Sequence, residues 1–367
     1  MKVESKIIFW IFFVLSLFGL AMVYSATFDF SFVIKQSLAL FLGLIAFFIV
    51  TKIGIDRIKD YLILIVLINI LLLILVLTPL GVEVNGSKAW MGVGIFNIQP
   101  SEFAKITIVL YTAYFISNRY GILENFKKGF VPPFLLMLIL ALLINVEPDL
   151  GNATIVALLF LVVMFVGGTP LWHFVPLAVF SFIGFVALLL TKSYRVKRIL
   201  AFIDPWKDPL GYGYNIIQSL IAHGRGHIWG VGFGNGLQKN YYLPEKHTDF
   251  IFAVIGEELG LVGNILILLI FVGFFLIIIY KTMKINNMFY KLVLFGLGFM
   301  IFINGVINMS VTLSLLPATG ITLPFVSYGG TSLIVNWIAL GIIVDILNKP
   351  YEVKKINIQN KIILQKT

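Results

Sequence analysis

The 367-residue chain contains no cysteine, which excludes disulfides and thiolate metal sites. Histidine is scarce as well, with four residues whose spacing does not read as a metal site. His223 and His227 stand four apart, but the glycines around them argue against a helix that would bring them together. Charge is thin: Lys, Arg, Asp and Glu make up 12% of the chain against 60% hydrophobic residues, and mean hydropathy is +1.01. A soluble protein of this length could not bury so much apolar surface. The long apolar runs lack the alternation of barrel strands, and no internal repeat or low-complexity linker divides the chain.

What the chain does have is a series of apolar runs of about 20 residues, long enough to cross a hydrocarbon core of roughly 30 Å. A backbone in lipid must satisfy its own hydrogen bonds, so these runs read as helices. The expected fold is an all-α polytopic membrane protein of about ten transmembrane helices, forming one domain over 1–367. The spans fall near 7–25, 32–51, 61–78, 100–117, 131–146, 152–166, 171–191, 249–280, 291–311 and 332–347. A large extracytoplasmic loop, 192–248, separates helices 7 and 8, and 348–367 forms a cytoplasmic tail. Lys2, Lys6, Lys52, Arg57, Lys59, Arg119, Lys127, Lys128, Lys281, Lys284 and the tail lysines all fall on one side of this scheme. The positive-inside rule then puts both termini in the cytoplasm. The first run reads as an uncleaved helix rather than a signal peptide, given its length and the spans behind it. The net charge of +10 is therefore a topology signal, and no nucleic-acid partner is expected. The outer loop breaks the rule with eight Lys and Arg against three Asp and Glu, net +5, which suggests an anionic partner there.

The stretch 211–260 is polar and glycine-rich between long apolar runs, and Asp249 stands where a new hydrophobic segment opens. An Asp in a first turn is ordinarily a helix stabiliser. A carboxylate at a membrane edge, preceded by Arg225, Lys239 and Lys246, also suits chemistry on an anionic lipid substrate. Glu245, Lys246 and His247 cluster just before it. Glu257, eight residues on, falls roughly 80° around a helix and could line the same side deeper in. A carboxylate beside a partly dehydrated pocket can serve as a general base.

Five further groups carry polar chemistry. Lys88 and Trp90 lie on an outer loop, where Trp90 equally suits an interfacial belt. Glu102 and Lys105, three apart near the start of a span, can pair on one helix face, either for function or to neutralise each other. Glu147 and Asp149 sit at an outer turn, where Asp149 could simply cap the next helix. Arg195 and Arg198 in YRVKR could grip phosphate or snorkel at the membrane edge. Finally, 316–333 (LPATGITLPFVSYGGTSL) interrupts two apolar runs and supplies hydroxyls at Ser327 and Tyr328. It is either an ordinary outer loop or non-helical backbone packed inside the protein.

Taken together, QPSEFAK (99–105), EPDLG (147–151), YNIIQSLIA (214–222), GNG (234–236), LPEKHTDFIFAVIGEELGLVG (243–263) and the 316–333 stretch resemble the SEDS family of shape, elongation, division and sporulation proteins. LPATG and PFVSYGG set the chain nearest the RodA branch. The resemblance covers most of the chain. It implies a ten-span peptidoglycan glycosyltransferase in the bacterial cytoplasmic membrane that polymerises lipid II into β-1,4 glycan strands at the outer face, for cell elongation and rod shape. Asp249 matches the family's essential aspartate. Trp90 matches the tryptophan of an ARRW-type motif that reads SKAW here, with Lys88 and Ala89 at the arginine positions. Glu102 and Lys105 match functional positions. The expected substrate contacts are Lys88, Trp90, Glu102, Lys105, Arg195, Arg198, Glu245, Lys246, Ser327 and Tyr328, for lipid II and the undecaprenyl-linked glycan. A single-span class B penicillin-binding protein is the implied partner, beside membrane lipids. No dedicated metal site is visible, although a divalent cation such as Mg or Mn could contribute. A lipid II flippase, a division or sporulation paralogue and a non-catalytic scaffold remain as alternatives. A flippase would place charges near the midplane and often shows inverted repeats, neither of which is evident.

Overall fold

The structure is a computed structural model that describes residues 2–84, 87–93, 96–176 and 193–350. Helices form where the apolar runs lie: Val3–Thr27, Phe30–Ile53, Leu62–Leu77, Pro100–Asn118, Val131–Val146, Leu150–Val166, Ile251–Lys284, Met288–Thr312 and Gly330–Asn348. Six helical stretches among the described residues are long and apolar enough to cross a membrane, and Leu62–Leu77 and Leu150–Val166 are shorter apolar helices. The fold is that of an all-α polytopic membrane protein. Of the expected span 171–191, Leu171–His173 forms a short 3₁₀ turn, while 177–191 lies outside the described residues, as does 351–367.

Local chemistry ends and starts the helices. Phe28 turns left-handed (φ 51°) after the first helix, and the Asp29 carboxylate accepts from Ser31 N at 2.8 Å to cap the second. The helices then pack through large aromatic side chains. Trp337 is fully buried and its ring meets those of Phe9, Phe47 and Phe325 at 5.5–5.7 Å.

Three local expectations need correction. Lys88 and Trp90 are not on a loop but on a strand. Gly81–Val84 (β1), Ser87–Val93 (β2) and Phe96–Ile98 (β3) form an antiparallel sheet in the order β1-β2-β3, with Trp90 opposite Val82. The glycine-rich segment near His223 is also helical, over Tyr214–Gly226. Packing against the Ile251–Lys284 helix outweighs the glycines' weak propensity. Last, the eighth span starts at Ile251, two residues after Asp249, and is broken at Gly260 (φ 68°, ψ −165°).

That break is repaired by the long loop that precedes the span. The freed amides of Leu261 and Val262 donate to His227 O at 3.0 Å and Ile228 O at 3.2 Å. Val231 N and Gly232 N in turn reach Glu257 O and Glu258 O, both at 3.0 Å. Non-helical backbone is tolerated in such a span only when protein re-satisfies it in this way. A Cβ at 260 would collide with Gly230 N and Ile228 O, so only glycine allows the approach.

Charges separate to the two ends of the bundle. At one end Lys281 pairs with Glu4 at 2.5 Å, Lys349 pairs with Asp56, Lys2 Nζ donates to Lys349 O at 2.6 Å, and the Asp345 carboxylate accepts from Ile55 N at 2.8 Å. The opposite end carries the 193–248 loop, the sheet and most of the predicted site residues.

Candidate functional site

Asp249 sits half-buried in a turn just ahead of Ile251. The turn is fixed through its backbone. Glu245, itself left-handed (φ 51°), accepts at its carbonyl from Thr248 N and Phe250 N, both at 3.2 Å, and its carboxylate accepts from Thr248 Oγ1 at 2.9 Å. The 316–333 segment supplies the other side: Tyr328 N donates to His247 O at 2.8 Å and Ser327 Oγ to Thr248 O at 2.6 Å. Asn308, from the Met288–Thr312 helix, donates to Asp249 O at 2.8 Å and Ile321 O at 2.7 Å. Three successive carbonyls are thus held from outside while the Asp249 carboxylate faces Gly320, where an added Cβ would lie 3.7 Å from Oδ2. Asp249 is not the side-chain cap of the helix: that position falls to Phe250, which makes no side-chain cap bond.

The 316–333 segment is packed inside the protein rather than forming a free loop. Gln36, buried in the second helix, donates to Ser327 O at 2.9 Å and accepts from Gly329 N at 3.2 Å. The segment also reaches a second polar cluster. A Cβ on Gly151 would stand 2.5 Å from Thr319 O, and Thr331 Oγ1 donates to Asn97 O at 2.9 Å on β3. Beside that contact the Asp149 carboxylate gathers Gln99 Nε2 at 2.9 Å, Ser101 Oγ at 3.3 Å, Asn152 N at 3.0 Å and Asn152 Nδ2 at 2.7 Å. It therefore caps its helix and also crosslinks two spans. Glu102 and Lys105 do pair, at 2.7 Å and fully buried. Glu147 is buried with neither carboxylate oxygen bonded among the described residues. Burial, and then the Asp149 charge, push it up to about 9, so it is neutral at pH 7.

Two lysines border the Asp249 turn. A cavity of about 280 Å³ is lined by Tyr214, Lys239, Asn240, Tyr242, Leu243, Pro244 and Lys246. Lys246 Nζ donates to Lys239 O, and burial, followed by the Lys239 charge, holds its ammonium below the ordinary lysine range. Burial also lowers His247. Lys239 is locked: it pairs with Glu258, donates to Ser25 Oγ at 2.7 Å and lies 4.5 Å from the Phe28 ring centroid. Glu257 does not extend toward Asp249 as an open carboxylate. It accepts from Arg225 Nε at 3.1 Å, Leu237 N at 2.9 Å and Gln238 N at 3.1 Å, so it holds the loop down.

The structure therefore gathers Asp249, Glu245, Lys246, Ser327 and Tyr328 in one place and joins them through 316–333 to the Glu102/Lys105 and Asp149 cluster. Lys88 and Trp90 alternate with buried Ala89 on β2 and so share one sheet face. Ser87 Oγ ties that strand to Glu147 O. Arg195 and Arg198 lie on the helix Ser193–Ile203, with side chains outside the described residues. Gln36, Asn308 and Ser25 escaped the sequence reading, and Lys239, expected there as a cation near the substrate, is instead tied up against Glu258. Among the described residues no group of three His, Asp or Glu side chains converges to hold a metal ion, and the chemistry proposed below uses none.

Bundle and site together define a multi-pass membrane protein with a polar, carboxylate-bearing centre at one end and the 193–248 loop locked over it. More narrowly, the chain belongs to the FtsW/RodA/SpoVE family: the family's sequence model, described as cell cycle protein, matches residues 5–352. Stage V sporulation protein E of Bacillus subtilis (strain 168) is 41% identical over 342 residues, covering 89% of this chain and 92% of that protein. A protein of Wigglesworthia glossinidia brevipalpis named probable peptidoglycan glycosyltransferase FtsW is 39% identical over 352 residues, covering 93% and 92%. Among solved structures, one reported as "Structural coordination of polymerization and crosslinking by a peptidoglycan synthase complex" matches with a TM-score of 0.80 at 32% identity, covering 94% of this chain and 98% of that one. Rod shape determining protein RodA of Thermus thermophilus matches with a TM-score of 0.68 at 28% identity, covering 92% and 95%.

Proposed function

We propose that the chain is a peptidoglycan glycosyltransferase that polymerises lipid II, working as a single domain at the outer face of the bacterial cytoplasmic membrane. Relatives named for this activity support the reaction class. The observation that carries the site assignment is the Asp249 turn: a carboxylate whose backbone is clamped by Ser327, Tyr328 and Asn308, in the same turn as Lys246, which lines a cavity. Lys2, Lys281 and Lys349 at the opposite end of the bundle support a cytoplasmic end there, with both termini inside and Asp249 outside.

In this reading Asp249 takes the proton from the 4-hydroxyl of the acceptor sugar. The freed oxygen attacks the anomeric carbon of the lipid-linked donor and the bond to pyrophosphate breaks. Undecaprenyl pyrophosphate leaves with the electron pair, and the α-linked donor becomes a β-1,4 link. One displacement inverts the centre, so no covalent intermediate is needed. Pyrophosphate leaves readily once its charge is met by cations. Lys246 at the cavity is the first candidate, with Arg195, Arg198 and Lys88 behind it. Trp90, Glu102, Lys105 and Glu245 position substrate or the turn.

A single-span class B penicillin-binding protein is the proposed partner, supported by the likeness to a synthase complex that couples polymerisation to crosslinking. LPATG and PFVSYGG favour cell elongation, while the relatives named for sporulation and division support the other branches equally. Purified protein given lipid II, with and without the partner, separates the main readings. A glycan ladder on a gel supports the polymerase, whereas transfer of lipid II across liposomes with no ladder favours a flippase.

A further inference from the structure

We propose that the outer segment 193–233 is a lipid-seated collar, held in the headgroup layer of the membrane by two apolar outcrops, one around Trp206 and Leu210 and the other at Trp229. Its assignment to the outer leaflet rests on the orientation proposed above; its seating in lipid does not.

The first outcrop follows the helix Ser193–Ile203. Leu200 and Ile203 are 58% and 70% exposed, Trp206 63% and Leu210 89%. These residues lie outside every apolar span, and large apolar side chains are disfavoured in water. The turn that presents them is ordered. The Asp204 carboxylate accepts from Trp206 N at 3.2 Å, the Asp208 carboxylate from Tyr212 N at 3.0 Å, and Asp208 O from Gly213 N at 3.1 Å. Exposed Lys197 and Lys207 flank it, Lys207 loosely paired with Asp204 at 3.6 Å; cations at this level are what an anionic headgroup layer attracts.

The second outcrop has its depth fixed. Trp229 is 80% exposed, and the residues on both sides of it bond to the span break: Ile228 O to Val262 N at 3.2 Å and Val231 N to Glu257 O at 3.0 Å. Trp229 is therefore level with the break, where the span's own exposed face begins at Leu261. A tryptophan at that level sits where indole rings prefer to lie in a bilayer. Flanking cations, fixed depth and continuity with a lipid-facing span all favour lipid over a protein partner as the occupant.

The absence of cysteine allows a direct test. Leu210→Cys and Trp229→Cys are spin-labelled in the full chain, in vesicles of phosphatidylethanolamine and phosphatidylglycerol, with exposed Glu83→Cys on β1 as the aqueous reference and Leu261→Cys as the lipid reference. The ratio of oxygen to nickel-chelate collision rates at 210 and 229 should exceed that at 83 by roughly tenfold, as expected for seating about 5–10 Å into the headgroup boundary. Ratios equal to the aqueous reference would overturn the proposal, as would shielding that appears only when a second protein is added. All four sites are exposed, so the fold is preserved. The readout needs no catalysis, so it succeeds or fails separately from the glycosyltransferase reading.

Discussion

Replacing Glu258 with Gln tests how the 193–248 loop is held. Glu258 and Lys239 form an ion pair in which both side chains are fully buried. Glu258 also accepts from Ser25 Oγ at 2.7 Å and Gly234 N at 3.1 Å. Gln keeps the shape and an accepting oxygen, so the change removes mainly the charge. Lys239 is then a buried ammonium without its counter-ion, a loss of about 3–5 kcal/mol when one partner of a buried pair is removed. The loop rather than the bundle should feel it, because Lys239 belongs to the loop and Glu258 to the span. At about 1.4 kcal/mol per tenfold, hydrogen-exchange protection of the Val231, Gly232 and Gly234 amides should fall by roughly 10²- to 10³-fold. Adding Lys239→Met should restore most of it, since no uncompensated charge remains. Protection within about threefold of wild type in Glu258→Gln would refute the reasoning, because differences that small match exposed ion pairs.

Three further outcomes follow from the geometry. Glu147 ionises near 4.5 when unfolded and near 9 in the fold. Between those limits the unfolded chain has lost a proton that the folded chain keeps, so stability should fall as pH rises. Glu147→Gln should flatten that slope in melting experiments, and parallel slopes for variant and wild type would count against it. Gly260→Ala should cost at least about 1–3 kcal/mol from the essentially glycine-only backbone conformation alone, with faster exchange at Leu261 and Val262; unchanged exchange there would contradict the role given to the break. Lys105→Met should destabilise by about 3–5 kcal/mol by stranding buried Glu102, with a melt recovered by adding Glu102→Gln; failure of that rescue would show that the pair is not the cause.

The spans were legible because a run of about 20 apolar residues has few fates other than a membrane helix. The Asp249 turn was visible as a polar junction, and the Glu102/Lys105 pair follows from helical spacing alone. What stayed hidden depends on contacts distant in sequence. Lys239 reads as one more loop cation until it is seen against Ser25 and Glu258, and Gln36 as an ordinary span residue until it meets Ser327 and Gly329. Some signals were present but undervalued. Asn85-Gly86 between alternating residues is a hairpin signature, and adjacent Glu257 and Glu258 in an apolar run require partners. The break at Gly260 gives no local sign beyond the glycine, because loop amides at 231 and 232 make it affordable.

The central claim is that Asp249 is the base for glycan polymerisation, and Asp249→Asn tests it most directly. Ser327, Tyr328 and Asn308 hold the turn through its carbonyls, and Asn keeps the shape of the side chain, so the variant should fold and melt like wild type. Both proteins, purified with the cognate penicillin-binding partner, are given lipid II and the products separated on a gel. The account predicts a glycan ladder from wild type and none from Asp249→Asn. A ladder of comparable yield from the variant would contradict it.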